Sequence, residues 1–157
     1  MLSVSLFADS KVRIYGGGGM SMGESADVGS GSSISYRFST QFLFPVSQSW
    51  RFGFETGFVH LLESKYYGSR KKSYDYVDTL FMVEYNLSAV RWLSFQAGAG
   101  PYFSVGNDRG NDFGIFLGFG ADIPVTDTIA IPIFFRVDPI IGLPLVVPIT
   151  ISTGLTF

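Results

Sequence analysis

Eight charged side chains, Arg13, Arg37, Arg51, Glu55, Asp78, Glu84, Asp122 and Arg136, share one parity within segments whose alternate positions are apolar. Successive side chains of an extended chain point to opposite faces, so all eight are expected on the same side of a sheet. Charges withdrawn from water are costly unless they pair. Arg37 and Glu55 fall at similar heights on neighbouring segments, and Asp78 aligns with Glu55 less closely. The chemistry open to such a group is either a structural ion-pair core or a gate whose rearrangement opens a narrow pore. The same side carries Leu80, Met82, Phe116 and Phe134, an apolar patch suited to interior packing or to a small hydrophobic ligand. It also carries the glycines Gly53, Gly57, Gly98, Gly100, Gly114, Gly118 and Gly120, which leave room beside the charges.

Other chemistries find less support. The glycine run 16–19 has no Lys-Ser/Thr pair or helical pattern after it, so it does not read as a phosphate-cradling loop. Glycines where strands cross closely or bend explain it better. The lone histidine, His60, has the parity of Phe58 and is expected to face away from the charges. There are no cysteines, which removes disulfides and thiolate metal sites. No catalytic residue, metal or cofactor is assigned, and the reading is not that of an enzyme. A net charge of -2 gives no sign of a nucleic-acid partner.

The elements that position these residues follow from period-two alternation. Eight strands are expected, over residues 11–20, 34–44, 50–62, 74–85, 91–104, 113–123, 128–138 and 145–157. The last is the clearest: Leu145, Val147, Ile149, Ile151, Leu155 and Phe157 share a face, opposite Pro148, Thr150, Ser152, Gly154 and Thr156. Residues 21–33 read as a loop. Longer connections follow strands one, three, five and seven, and tight turns follow two, four and six. Pro132, near mid-strand, removes a ladder hydrogen bond and predicts a bulge.

Only 15% of the 157 residues are charged while 17% are aromatic, a balance too apolar for an ordinary soluble surface. No segment supplies the ~18 consecutive apolar residues of a spanning helix. An apolar chain without such a run is either a large soluble core or a barrel whose lipid-facing residues are concealed in alternation. An eight-stranded barrel has an interior just wide enough for side chains to fill. The sixteen phenylalanines do not fit there, but they suit an outer, lipid-facing band. The expected fold is therefore all-β, an eight-stranded antiparallel up-and-down transmembrane barrel. Trp50 and Trp92 each follow a tight turn and fall at one end with Phe44, Tyr85 and Phe157, as in an interfacial aromatic girdle. Residues 1–8 (MLSVSLFA) are apolar but too short for a complete signal peptide. They read either as the remnant of one or as vector-derived residues, and residues 9–157 as one domain.

On these residues the chain resembles the small eight-stranded outer-membrane barrel proteins of Gram-negative bacteria, the group including the OmpA membrane domain and OmpX- and OmpW-like proteins. The resemblance spans residues 11–157 and is carried by architecture and the closing strand. The group's C-terminal assembly signal, polar-x-Gly-x-x-apolar-x-aromatic, is matched by Thr150, Leu155 and Phe157, with Ser152 where Gly is usual. The resemblance implies the outer membrane, periplasmic termini, extracellular longer loops, and contacts with lipid, lipopolysaccharide and the barrel-assembly machinery, the protein acting as a monomer. Trp50, Trp92, Leu155 and Phe157 become interfacial anchors and assembly signal. The cationic stretch Lys65, Arg70, Lys71 and Lys72 reads as a solvated loop or as a contact for glycolipid phosphates or a host surface. The OmpW-like branch implies use of the apolar patch for a hydrophobic ligand. Function is expected to be structural or surface interaction, with a narrow channel or transporter for small solutes as the alternative.

Overall fold

A computed structural model of the protein describes residues 10–23, 31–62, 73–90, 92–106, 110–142 and 145–157. The chain forms β1 (Lys11–Gly23), β2 (Gly31–Pro45), β3 (Trp50–Leu62), β4 (Ser73–Asn86) and β5 (Leu93–Ser104). It continues through β6 (Asp112–Pro124), β7 (Ala130–Val137), β8 (Ile140–Ile141) and β9 (Val146–Thr156). Every ladder is antiparallel, and β9 returns to pair with β1 from Arg13 opposite Thr156 to Gly23 opposite Val146, which closes the sheet. β8 extends β7: Val137 opposes Leu117 and Ile140 opposes Gly114, three residues further along both strands. The barrel thus has eight staves, as the alternation predicts.

Parity decides which side chains go where. Phe38, Phe81, Leu117 and Ile151 stand on the outer wall, each 58–64% exposed, while Arg13, Glu55, Asp78 and Glu84 are fully enclosed. This is the inverse of a soluble protein, in which the charged groups remain in water and the large apolar ones leave it. Two tight turns are built alike. Val46 N–H donates to the Trp50 carbonyl at 2.9 Å, with Ser47 Oγ accepting from Trp50 N–H at 3.1 Å. Val125 N–H donates to the Ile129 carbonyl at 2.9 Å, with Thr126 Oγ1 accepting from Ile129 N–H at 3.0 Å. A short hydroxyl side chain satisfies backbone the turn would otherwise leave open.

Four expectations need correction. Residues 21–23 and 31–33 belong to β1 and β2, not to a loop, because ladder bonds are made by backbone and continue to Gly23 opposite Gly31 despite the polar composition. Pro132 makes no bulge: Asp122 opposes it in unbroken register on β6. On the β9 side the pairs Ala130–Thr156 and Ile133–Thr153 keep the same register, and the missing donor shows only as a gap between them. The fifth strand begins at Leu93, since Leu87 N–H and Leu93 N–H are taken up in the preceding turn. The seventh connection is shorter than expected, because β8 occupies part of it and leaves residues 142–145.

The glycine run lies on the closing seam. A Cβ on Gly17 would come within 2.2 Å of the Ile151 carbonyl oxygen, and one on Gly19 within 1.8 Å of that of Ile149. Gly16 and Gly18, of the opposite parity, would meet nothing closer than 3.6 and 3.5 Å. Bare backbone is therefore required at the inward pair, where β1 and β9 approach, and not at the outward pair. Gly19→Ala is expected to cost about 1–3 kcal/mol by overpacking, whereas Gly18→Ala should lie within about 0.5 kcal/mol of the parent. Urea unfolding in detergent, followed by tryptophan fluorescence, would refute the seam argument if the two variants were equally stable.

Candidate functional site

The inward faces converge on a lumen filled by two linked ion-pair clusters. Glu55 is the hub of the first. Its Oε1 and Oε2 each lie 2.7 Å from Arg136 Nη1, and its Oε2 accepts from Tyr15 at 2.5 Å and from the Gln41 amide at 2.7 Å. Arg37 Nη2 donates to both Glu55 and Asp78, and its Nε to Ser39 at 2.9 Å. Arg136 Nε donates to Asp138 at 2.5 Å, and Tyr102 O–H donates to the same carboxylate at 3.3 Å. These contacts join side chains of β1, β2, β3, β4, β5 and β7 with Asp138, just beyond β7.

The second cluster lies towards the tight-turn end. Arg13 Nη1 donates to Glu84, and its Nη2 and Nε donate to Asp122 at 2.5 and 3.2 Å. Lys11 Nζ also reaches Asp122, at 2.8 Å, and Arg51 Nη1 reaches Glu84 at 3.3 Å. Gln96 donates to Glu84 at 2.8 Å, and Thr156 Oγ1 to Asp122 at 3.1 Å. The clusters are bridged by amides: Gln41 donates to Gln96 at 3.2 Å and accepts from Arg13 at 3.4 Å. Charges held in a desolvated lumen need partners of this number and quality, since an unpaired one would be strongly destabilising.

All eight charged residues singled out from the sequence therefore lie in the network. Lys11 and Asp138 also belong to it. Asp138 had the right parity, two residues beyond Arg136 at the end of the expected strand, and in the structure it stands just past β7. Lys11 could have been found from the parity of Arg13. Leu80, Met82 and Phe116 join a buried apolar cluster; Phe134 instead lies against Tyr15, with ring centroids 6.0 Å apart. The Arg136 guanidinium sits 3.7 Å above the Phe116 ring and that of Arg13 lies 4.9 Å from Phe134. The expected patch is thus interleaved with cations, which ring faces attract, and is not an open apolar surface.

The room left by inward glycines is occupied by rings. A Cβ on Gly98 would fall 2.3 Å from the Phe116 ring, one on Gly114 2.3 Å from the Tyr102 ring, and one on Gly120 2.0 Å from the Phe134 ring. Towards the loop end, Val59, Leu61, Tyr76, Tyr102, Ile140 and Val146 close over the ion pairs as the upper part of the apolar cluster. Their parity was legible, but not their convergence at one level. Among the described residues no three His, Cys, Asp or Glu side chains are grouped to hold a metal ion.

On the outer wall, Trp50 packs on Tyr85 at 4.8 Å between centroids. Trp92, Leu155 and Phe157 are about half exposed, at 52%, 45% and 51%. The backbone of Phe157 exchanges two hydrogen bonds with Val12, at 2.9 and 3.1 Å, so the last residue is fixed in the ladder while its ring points outward. His60 also faces out, its Nδ1 against Asp75 Oδ1 and its ring stacked 6.3 Å from Tyr36. The basic stretch Lys65, Arg70, Lys71 and Lys72 lies outside the described residues, as do residues 1–8.

A closed eight-stave antiparallel barrel is the fold of the small outer-membrane barrels, and known structures of that class are similar to it. Neisserial surface protein A is similar at 14% identity, over 94% of this chain and 95% of that one, with a TM-score of 0.60. Ail, the attachment invasion locus protein of Yersinia pestis, is similar at 11% identity over 94% and 99%, with a TM-score of 0.53, and it has also been solved in complex with the heparin analogue sucrose octasulfate. The outer-membrane protein AlkL, solved in lipid bilayers, is similar at 12% identity over 100% and 93%, with a TM-score of 0.60. At these identities the likeness is one of fold. No known family and no curated protein matches the sequence itself.

Glu55→Ala is expected to destabilise the barrel by about 3–5 kcal/mol, because Arg37 and Arg136 would be left enclosed without their shared acceptor. Pairing it with Arg136→Met should recover part of that loss. Equal stability of Glu55→Ala and parent in urea unfolding would show that the hub is not required.

Proposed function

We propose that the protein is an integral outer-membrane barrel with a structural or surface-interaction role, and that its lumen does not conduct. The observation that carries this reading is the inside-out chemistry: an apolar wall around a lumen filled by ion pairs, glycine-seated rings and an apolar cap. A bilayer core offers no partners for open sheet edges, so closure of β1 on β9 is what such an environment demands. The termini and tight turns lie on the periplasmic side and the longer connections outside, with Trp50, Trp92 and Phe157 at the inner headgroup level. Lipid, lipopolysaccharide and, during assembly, the barrel-insertion machinery are the partners, with Leu155 and Phe157 as the assembly signal.

The surface contact is assigned to Lys65, Arg70, Lys71 and Lys72. Four cations in one connection suit a polyanionic ligand such as glycolipid phosphates or a sulfated surface polysaccharide. That Ail, a protein of the same fold, has been solved with a heparin analogue supports this class of ligand. A narrow solute channel, the other reading, would require Arg37, Arg136 and Glu55 to separate and the Phe116 and Tyr102 rings to leave their glycine seats.

Two experiments test the proposal. In planar bilayers the parent protein should give no step conductance; reproducible steps would overturn the closed-lumen reading. Replacing the four basic residues by Gln should reduce binding to vesicles containing lipopolysaccharide and abolish its salt dependence. Binding that is unchanged would remove the loop from the contact. The membrane assignment itself fails if the protein stays soluble without detergent and shows no heat-dependent gel mobility.

A further inference from the structure

The two lumen clusters are not balanced individually. In the loop-side cluster two cations, Arg37 and Arg136, face three carboxylates, Glu55, Asp78 and Asp138. In the turn-side cluster three cations, Lys11, Arg13 and Arg51, face only two carboxylates, Glu84 and Asp122. The surplus positive charge is therefore at the turn-side mouth. There a pocket of about 350 Å³ is lined by Lys11, Gln48, Ser49, Arg51, Asn86, Leu87 and Ser88, with no acidic side chain among them.

The mouth also has hydrogen-bond donors to spare. Glu84 and Asp122 sit behind the pocket: Arg13 and Gln96 hold Glu84 Oε2, the Asn86 amide donates to Glu84 Oε1 by a long contact of 3.4 Å, and Lys11, Arg13 and Thr156 hold Asp122. Arg51 reaches Glu84 by a single long contact of 3.3 Å, and its Nε is enclosed with no acceptor among the described residues. A guanidinium offers five donors in a fixed fork, so most of its capacity is unspent. The Lys11 and Arg51 side chains are 24% and 16% exposed, so both are sheltered yet reachable.

From this geometry we infer that the turn-side mouth is a binding site for a phosphate group, held between Lys11 and Arg51 with the Asn86 amide and the Ser49 and Ser88 hydroxyls around it. A tetrahedral oxyanion accepts hydrogen bonds from several directions at once, which suits donors carried on two turns and on the adjoining ends of β1, β3 and β4. Charge-assisted bonds of this kind are the strong ones. The group can come from a soluble phosphate ester or from a lipid headgroup at the rim. The site does not depend on whether the lumen conducts or on what the longer loops contact.

The test is a titration of isotopically labelled protein with inorganic phosphate in a phosphate-free detergent, reading the Arg51 Nε–H and the Asn86 and Gln48 side-chain amides by NMR. A saturable shift confined to these groups is expected, absent with chloride at equal ionic strength. Arg51→Gln should weaken the apparent affinity about tenfold or more, as loss of a charged hydrogen-bond donor does. Should that variant not fold, as judged by heat-dependent gel mobility, Lys11→Gln serves in its place. No saturable shift, or one that neither substitution weakens, overturns the site. A second arm compares phosphatidylcholine nanodiscs with and without phosphatidylglycerol. An Arg51 signal already displaced by the anionic lipid identifies the headgroup as source, and one moved only by added phosphate identifies a soluble ester.

Discussion

Closure of a narrow barrel is the constraint from which the other features follow. Once β9 pairs with β1, every inward side chain is confined to a space that its neighbours must fill, and every inward charge must find its partner there. Glu55 shows what that demands. It accepts from Tyr15 on β1, Gln41 and Arg37 on β2, and Arg136 on β7, so one carboxylate links four staves. Ion pairs so enclosed are weak evidence for net stability, since desolvation offsets much of the attraction. Their value lies in register. A slip of one residue would turn Arg37 or Arg136 towards the outer wall and bring Phe38 or Phe135 inside, an exchange unfavourable on both faces.

Packing solves the same problem with different residues. A stave with a ring at an inward position pairs with a stave that has glycine there, as Phe116 with Gly98 and Phe134 with Gly120. The ring lies across the bare backbone, and a guanidinium then covers its exposed face, as Arg136 does over Phe116. Charge, ring and glycine therefore form one unit. The abundance of inward glycine, which by itself suggests an open pore, is here the complement of inward aromatics. At the closing seam glycine has another role, letting the backbones of β1 and β9 approach with no ring between them.

The sequence displayed sidedness clearly and height poorly. Alternation is a property of each strand alone, so the inward placement of Arg13, Glu84 and Phe116 could be read directly, as could the outward placement of His60. Which inward residues meet depends on the stagger between strands and on reach across the lumen. Arg136 and Glu55 lie on strands that are not neighbours, and no pattern along the chain pairs them. Asp138 shares the parity of Arg136 at the very end of the expected seventh strand, and only its contact with Arg136 shows that it belongs to the network. Ser21 and Ser33 looked like loop because their side chains are polar, but the ladder that holds them is backbone. Pro132 looked disruptive because one donor is missing. The sheet absorbs that loss as a gap, since neither neighbour needs to shift register to accommodate it.

A filled axis has a consequence for where any function can reside. Residues that specify the barrel are committed to one another, so the interior has little freedom to recognise anything else. Recognition must fall to the wall and the two rims, where side chains can be reached from outside. On the wall this means apolar contact with whatever surrounds it, which requires only the alternation already present. At the rims it means polar side chains whose partners are incomplete, and those are the positions that periodicity does not constrain. The same physics that makes this fold legible from its strands thus leaves its specificity to short connections, where neither parity nor packing dictates the residue.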